Sequence, residues 1–362
     1  MINYKKLLPL ILFLCIFAQI SIGQSILKGT VTGAQTGDPL PGVNVYLSGT
    51  TYGAPTNESG YYKLSISDPG TYNLVFSFVG YQKKVRRIEI NASSSETINI
   101  SLKEDIQQLG EIKVRATNKK WKEGYNNFFK QFIGRTDFAD QVTIENPWVL
   151  SFEEKDDVLK ATAQKPLKII NKALGYELYV ELVYFRWPTY SNRGGGYKIL
   201  PRFKLLTPES AQQELRWKKN RIRSYLGSFN HFLETLYNNE LDESDFSVRH
   251  QRNIDVLPKG ATQYELLGRG NISEQRRKRL KGYKLKRRIE ATFDGYAQFT
   301  FNRKTFSLQV YKEGAIESNT KKRVFFVDEY GALLNPLSLI AYGDWADARV
   351  AYSLPTNYSV GD

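Results

Sequence analysis

Short runs in which apolar and polar residues alternate recur between residues 26 and 102, and this pattern constrains the fold of the chain more than any other feature. Turn-forming Gly, Pro, Asn and Asp residues separate the runs at intervals of roughly ten residues. Within one run, Tyr72, Leu74, Phe76 and Phe78 are spaced to share one face of a strand. The pattern predicts a seven-stranded antiparallel β-sandwich. Its strands are expected at 26–32, 43–47, 61–66, 72–78, 85–90, 97–102 and 112–115.

Four motifs in this segment carry a family resemblance. They are Gly29-Thr-Val-Thr, Gly37-Asp-Pro-Leu-Pro-Gly-Val-Asn-Val-Tyr-Leu, Thr56-Asn-Glu-Ser-Gly-Tyr-Tyr and Phe78-Val-Gly-Tyr. In this order and spacing they resemble the carboxypeptidase regulatory-like domain of Gram-negative exported proteins, a transthyretin-like β-sandwich. The resemblance covers residues 26–102 and implies an accessory module without catalytic residues.

The same resemblance suggests a link to outer-membrane transporters. In that family the domain often precedes the plug and barrel of a transporter, joined by a short apolar segment that residues 109–114 resemble. The chain that follows is too short for a plug and a large barrel. We therefore expect an accessory protein and not a complete transporter.

The N-terminus has the form of a secretory signal peptide. Two lysines precede an apolar run over 7–18, and small residues lead up to Gln24. Because the run is shorter than a membrane span requires, we expect cleavage after Gly23 and no retained anchor. Cys15, the sole cysteine, lies inside the run behind a leucine, so we expect neither lipidation nor a disulfide. An exported chain without disulfides is typical of a bacterial envelope.

The charge of the chain limits its partners. The formal charge is +14, and loss of the two lysines in the predicted signal peptide leaves +12. Nucleic acid would be the usual partner of such a chain in the cytoplasm, but export excludes it. We therefore expect an anionic envelope component, such as lipid, lipopolysaccharide or an acidic wall polymer, or an envelope protein, with peripheral membrane contact as an open possibility.

Residues 117–362 predict a β-rich α+β domain. An aromatic stripe predicts a helix over 119–133, and Glu177 and Glu181 alternate with apolar residues in a long strand whose second face we expect to be solvated. A long helix is expected to open at Thr207, to break near Gly227 and to end near residue 238. Its buried stripe would be Ile222, Leu226, Phe229, Leu233 and Leu236. Other strands are expected at 149–152, 158–163, 167–170, 176–185, 197–206, 283–293, 296–301, 305–311 and 324–327.

Familiar catalytic patterns are sparse. His231-Phe-Leu-Glu matches part of a zinc carboxypeptidase motif, but His250 is the only other histidine, and a catalytic zinc needs three protein ligands. The sequence holds no Gly-x-Ser-x-Gly elbow and no phosphate-binding loop. An acidic cluster at 153–157 is expected to form a turn, although a hydrolase that uses two carboxylates stays open as an alternative.

Two dense groups of cations are the strongest functional signal. Residues 276–288 contain nine cations, and more lie on the predicted long helix. If the two segments meet, they form a patch suited to phosphate or carboxylate groups; otherwise they are a solvated face. The anion-binding candidates are Lys218, Lys219, Arg221, Arg223, Arg276, Arg277, Lys278, Arg279 and Lys281.

The sequence as a whole predicts a mainly β protein in three parts. These are a signal peptide at 1–23, a carboxypeptidase regulatory-like sandwich at 24–116 and an α+β domain at 117–362. We expect an exported protein in the periplasm or at the outer membrane, which acts as a non-enzymatic binding or scaffold module without a cofactor or metal. The alternatives are an envelope hydrolase of glycan or peptide and a docking partner of an outer-membrane transporter.

Overall fold

The computed structural model describes residues 24–105, 119–189, 195–238, 246–249, 283–285, 288–292, 296–301, 304–310, 324–328, 339–343, 345 and 348–360. For the strands between residues 247 and 343 only the backbone is described. The predicted signal peptide, the segment at 109–114, His250 and the cations at 276–281 lie outside these ranges.

Residues 25–102 form the N-terminal sandwich, which confirms the predicted β-sandwich. Its strands are β1 (Ser25–Gly33), β2 (Asn44–Leu47), β3 (Gly53–Pro55), β4 (Tyr61–Ile66), β5 (Gly70–Ser77), β6 (Lys84–Ile90), β7 (Ser95–Thr97) and β8 (Ile100–Leu102). In one sheet β1 pairs antiparallel with β4 and parallel with β7 and β8, and the other sheet has the antiparallel order β3-β2-β5-β6. The expected purely antiparallel pairing was wrong, because the first strand also pairs in parallel with the last two. No sequence pattern predicted the short β3, and the strand expected at 97–102 is divided between β7 and β8. The strand expected at 112–115 lies outside the described residues.

The alternation seen in the sequence builds the core of the sandwich. Leu27 and Val31 of β1 are fully buried and pack with Leu64 of β4 and Phe76 of β5. Gly60 closes the tight turn before β4 at a positive φ of 69°, where a Cβ would lie 2.5 Å from the Val31 carbonyl oxygen. Only glycine combines that backbone conformation with so close an approach.

A six-stranded antiparallel sheet, the second sheet, forms the next layer. Its strands are β9 (Val142–Ile144), β10 (Leu150–Lys155), β11 (Val158–Ala163), β12 (Leu167–Asn171), β13 (Tyr176–Pro188) and β14 (Gly196–Leu205). The long strand β13 pairs with β12 and β11 along one edge and with β14 along the other, and β9 and β10 complete the order β10-β11-β13-β12-β9. The bounds of β10 to β14 agree with the predicted strands to within three residues, whereas β9 was not predicted.

One face of the second sheet is covered by helix α1 (Lys119–Phe132). Phe128 and Phe132 of the predicted aromatic stripe are fully buried, and the Phe128 ring lies 4.8 Å from that of Phe185. The C-terminal tail enters the same core with Val350 and Ala351. The stripe on α1 is therefore a packing surface.

The predicted long helix is two helices, α2 (Ala211–Tyr225) and α3 (Phe229–Asn238). Ser210, and not Thr207, caps α2 by accepting a hydrogen bond from the Gln213 amide. The break falls at Gly227, as expected, because its φ is +73°. The expected buried stripe is wrong for α2, since Leu226, its C-terminal cap, is 44% exposed while the buried residues are Trp217, Arg221 and Ser224. On α3 the stripe is confirmed at Leu233, which is 1% exposed.

The remaining strands form two further antiparallel sheets. β15 (Ser247–Arg249), β18 (Tyr296–Phe301), β19 (Lys304–Val310) and β21 (Leu339–Gly343) are neighbours in one sheet. β16 (Tyr283–Leu285), β17 (Arg288–Thr292) and β20 (Val324–Asp328) form the other. The fold is therefore mainly β with a sandwich followed by a β-rich region containing helices, as predicted.

Candidate functional site

The face of β13 and β14 that the sequence predicts to be solvated is partly covered by the N-terminal sandwich. Leu200 packs with Tyr46 and Val75 of the sandwich, and Tyr46 donates a hydrogen bond of 3.0 Å to the Leu200 carbonyl. Glu181, only 9% exposed, accepts hydrogen bonds from Ser77 and, at 3.2 Å, from Lys83. Polar residues alternate on this face because it meets polar groups of another layer. The expectation of a solvated face was therefore wrong.

Arg202 is the central polar contact of this interface. Its guanidinium donates hydrogen bonds to the Asn44 side chain and, at 2.7 Å, to the Gly53 carbonyl. Burial lowers the pKa of Arg202, yet its Nε has no hydrogen-bond partner within the described residues. A Cβ on Gly53 would lie 2.5 Å from that Nε. Gly53 therefore gives the arginine the space it occupies.

The turn between β2 and β3 closes the free edge of β14. The Gly49 amide donates to the Pro201 carbonyl at 2.7 Å, and the Phe203 amide donates to the Thr50 carbonyl at 2.9 Å. Pro201 has no amide hydrogen, which suits an edge position in a sheet. Two backbone hydrogen bonds thus join the sandwich to the second sheet, as in a short added strand.

The C-terminal tail secures the same turn from its other side. The Thr356 amide donates to the Gly49 carbonyl at 2.7 Å, and the Asn357 side chain bonds to both the amide and the hydroxyl of Thr51. Upstream, Ala351 is fully buried in the core of the second sheet and accepts a hydrogen bond from Asn171. The tail therefore links that core to the sandwich.

An ion-pair row continues along the same face of the second sheet. Lys168 lies 2.8 Å from Glu145 and 3.3 Å from Glu177, and Lys204 lies 3.5 Å from Glu177. Desolvation opposes ionisation of Glu177, but the hydrogen bonds from Tyr179 and Lys168 and the positive charges outweigh it and lower its pKa. A carboxylate held ionised in this way is poorly suited to act as a general acid.

Helix α2 is attached to the second sheet through polar side chains. Trp217 Nε1 donates 2.7 Å to the Lys172 carbonyl, and Asn220 donates 2.8 Å to the Ala173 carbonyl. Arg221 Nε donates 2.8 Å to the Leu174 carbonyl. These donors satisfy successive carbonyl groups of the turn between β12 and β13, so polar contacts attach the inward face of α2 to the second sheet.

The structure separates the four anion-binding candidates on α2. Lys219 is exposed, and Lys218 lies 3.6 Å from Glu214 on the next turn of the helix. Arg223 lies 2.7 Å from Asp137, which raises the pKa of Arg223. Arg221 is 6% exposed and lies 4.5 Å over the Tyr176 ring, so it serves the packing of α2. The other candidates, Arg276, Arg277, Lys278, Arg279 and Lys281, lie outside the described residues.

Asp137 contacts both the C-terminal turn of α2 and the C-terminal tail. Desolvation opposes its ionisation, but hydrogen bonds from Tyr352 and Arg223 together with the charge of Arg223 lower its pKa. The Tyr352 hydroxyl donates at 2.8 Å, and the pKa of Tyr352 is raised to about 12 by burial and by this hydrogen bond. The carboxylate therefore bridges the helix and the C-terminal tail.

His231 has a structural role. Its Nδ1 accepts a hydrogen bond of 3.0 Å from the Gly227 amide, and its ring lies against those of Tyr225 and Phe246. Glu234, the second residue of the apparent zinc motif, accepts a hydrogen bond from Tyr225. Among the described residues, no group of three or more His, Cys, Asp or Glu side chains is arranged to hold a metal ion.

The acidic cluster at 153–157 forms the predicted turn between β10 and β11. Asp156 and Asp157 occupy the turn with positive φ values of 52° and 58°, the conformation of a two-residue type I′ hairpin. Glu153 lies 3.9 Å from Lys160 on the neighbouring strand. These carboxylates shape a hairpin at the end of the sheet.

Sequence reasoning missed the residues that join the two layers. Asn44 lies within one of the family motifs, Gly53 lies in a strand that no sequence pattern predicted, and Arg202 lies in an ordinary predicted strand. No motif marks any of the three as an interface residue. A weak signal was available in Pro201, because proline within a strand indicates an edge. Nothing in the sequence indicated that the turn at Gly49 would occupy that edge.

The comparisons with known proteins concern the N-terminal sandwich. The family model described as the CarboxypepD_reg-like domain matches residues 27–114. A TonB-dependent receptor of Formosa agariphila is 37% identical over 91 residues, which are 25% of this chain and 8% of the receptor. The TonB-dependent receptor SusC of Bacteroides thetaiotaomicron is 36% identical over 115 residues, which are 31% of this chain and 10% of the receptor.

The match to a solved structure is weaker. A DUF3823 family protein from Parabacteroides merdae aligns with 53% of this chain and 84% of its own, at 12% identity and a TM-score of 0.18. No helix within the described ranges is both long enough and apolar enough to span a membrane.

The chain spans about a tenth of the length of the curated receptors it matches. The family-model match spans the four sequence motifs and nearly all of the sandwich. The N-terminal part of this chain, residues 27–114, is a CarboxypepD_reg-like domain.

Proposed function

We propose that the protein is an exported accessory module of the cell envelope that acts by binding and not by catalysis. The observation that carries this proposal is the interface between the sandwich and the second sheet. The charged side chains of Arg202 and Glu181 both bind groups of the sandwich, and the tail donates a hydrogen bond to the turn at Gly49. This arrangement gives a fixed composite surface, which suits a scaffold.

The partner in this proposal is an anionic component of the envelope. The mature chain is strongly basic, and Lys219 and Arg216 of α2 are exposed to solvent. Exposed cations attract phosphate and carboxylate groups over a distance that salt shortens. Export to the periplasm or the outer membrane is part of the proposal, and it is supported by the predicted signal peptide and by the domain that the chain shares with TonB-dependent receptors.

Co-sedimentation with native envelope material tests this function. The chain from Gln24 is mixed with washed envelope fragments at low and high salt. It is compared with a variant carrying Ala at 276–279 and with the variant K218Q/K219Q. A K84Q/R87Q variant, changed on the exposed strand β6, is the matched control for charge.

Binding that weakens with salt and with the substitutions on α2 or at 276–279, but not with the control, supports an anionic partner. Absence of binding to envelope material at low salt contradicts the proposed function.

A second candidate function is docking to an outer-membrane transporter. It is favoured by the 37% identity between the sandwich and a TonB-dependent receptor, since a shared domain can bind a shared partner. This candidate would be favoured if envelope binding is unchanged by salt and by both sets of substitutions, and if it is lost when the envelope is treated with protease.

A further inference from the structure

Helix α2 turns three hydrogen-bond donors inward and leaves leucine side chains exposed along its outward side. Its buried residues are Trp217, Arg221 and Ser224, and each donates a hydrogen bond to a backbone carbonyl. A helix at the surface of a protein usually buries its leucines and exposes its cations. Here the inward contacts are polar, and large apolar residues are left on the outward face.

The outward apolar residues form a stripe. Leu215 is 54% exposed and Leu226 is 44% exposed, while Ile222 between them is half-buried. Residues seven and eleven positions apart lie within about 20° of each other around a helix with 3.6 residues per turn. Leu215 and Ile222 therefore line one side of α2, directly opposite Trp217 and Ser224, and Leu226, the C-terminal cap of the helix, continues this row.

Cations flank this stripe. Lys219 and Arg216 are exposed along one side of it, and Lys218 lies on the other side, 3.6 Å from Glu214. Arg223 reaches outward beside Asp137 and is 53% exposed. A row of exposed apolar residues bordered by lysine and arginine is the composition of a helix that lies in the interface of an anionic bilayer.

We propose that α2 docks the protein onto an anionic lipid surface, with Leu215 and Leu226 entering the headgroup boundary and the flanking cations meeting lipid phosphates. The polar anchors to the turn between β12 and β13 hold the helix in this orientation. The inference rests on the proposed function, because it names the envelope component and the site that binds it.

Two other partners are less consistent with this face. A soluble phosphate would use the cations and leave the leucines without a role. A wall polymer rich in hydroxyl groups would gain little from two leucines that are about half exposed. Charge and apolar surface together are complementary to lipid, in which the acyl region lies directly beneath the phosphates.

Flotation with protein-free vesicles tests the inference. The chain from Gln24 is mixed with vesicles of phosphatidylglycerol and phosphatidylethanolamine, or of phosphatidylcholine alone. The variant L215S/L226S removes the apolar stripe, R216Q/K219Q removes charge, and L205S/V183S is the control, since Leu205 is 55% and Val183 is 42% exposed elsewhere on the second sheet. Circular dichroism verifies that each variant melts as the parent does.

The parent is expected to float with the anionic vesicles and not with phosphatidylcholine. L215S/L226S should weaken partitioning at least about tenfold, because each leucine buries its exposed half in the bilayer interface. R216Q/K219Q should weaken it about fivefold for each charge removed. The control variant should float as the parent does.

Two results overturn the inference. One is vesicle binding that L215S/L226S leaves unchanged, which places the contact elsewhere. The other is an absence of vesicle binding by a parent chain that still sediments with native envelope fragments, which would leave the proposed function standing with a protein or polymer partner. Failure with the envelope fragments themselves would instead contradict the proposed function.

Discussion

Substitution of Gly53 by alanine should show whether the sandwich and the second sheet unfold together. The new Cβ would lie 2.5 Å from Arg202 Nε and 2.7 Å from Tyr46 Cβ, so the guanidinium must leave its position. Its displacement breaks the hydrogen bonds to the Asn44 side chain and to the Gly53 carbonyl.

The loss of unfolding free energy in G53A can be estimated from those contacts. Hydrogen bonds to a charged group contribute about 1.5–3 kcal/mol each, and release of a buried guanidinium with an unpartnered Nε returns about 1–3 kcal/mol. We therefore expect G53A to lower the free energy of unfolding by about 2–3 kcal/mol at pH 7. R202A should lower it by a similar amount, and G53A should cost less in the R202A background because the main clash is then absent.

Tryptophan fluorescence is the informative assay because all five tryptophans lie at or beyond Trp121 and none lies in the sandwich. In urea, the fluorescence transition of the parent should coincide with the far-ultraviolet circular dichroism transition, as expected for one cooperative unit. G53A should shift the fluorescence midpoint to lower urea, whereas K63A, an exposed change on β4, should not. A fluorescence transition that G53A leaves unmoved would refute the reasoning, since the sandwich would then unfold by itself.

Three further results are expected. The pKa of Glu177 is lowered from its ordinary 4.5, so the stability that this carboxylate contributes is complete above pH 4.5 and is lost as the pH falls through the lowered pKa. E177Q should therefore flatten the acid side of the profile of unfolding free energy against pH. An unchanged profile would contradict the ion-pair row. Asp157 has a positive φ of 58°, which glycine adopts easily and valine does not. D157G should therefore leave the free energy of unfolding unchanged or raise it by up to about 1 kcal/mol, while D157V should lower it by about 1–2 kcal/mol. Equal melting temperatures for the two variants would contradict the turn assignment. R221M should destabilise the fold by about 2–3 kcal/mol, because it loses the hydrogen bond to the Leu174 carbonyl. An unchanged melting temperature would contradict the structural role of Arg221.

Local patterns in the sequence predicted most of the strands. Alternation of apolar and polar residues is a property of a few consecutive residues, so β4, β11 and the aromatic helix α1 could be located within a residue or so. The turn at 156–157 was likewise expected from its composition. These elements depend little on what lies on their outer faces.

The interface could not be predicted in the same way. Glu177 and Glu181 give the pattern of a solvated face whether they meet water or the polar groups of another layer. The stripe on α2 was assigned to the core because leucine at helical spacing is usually buried, but Trp217 and Arg221 bind carbonyl groups that only the folded turn presents. Both outcomes depend on contacts between residues far apart in the chain.

Amide hydrogen exchange of the chain from Gln24 tests most directly whether the sandwich, the second sheet and the tail form one unit. The amides of Gly49, Phe203 and Thr356 donate across the boundaries between these parts. They should be as protected as the amides within β13, and G53A should lower the protection of Gly49 and Phe203 first. Exchange of all three at the rate of an unfolded chain, with β13 still protected, would contradict the account.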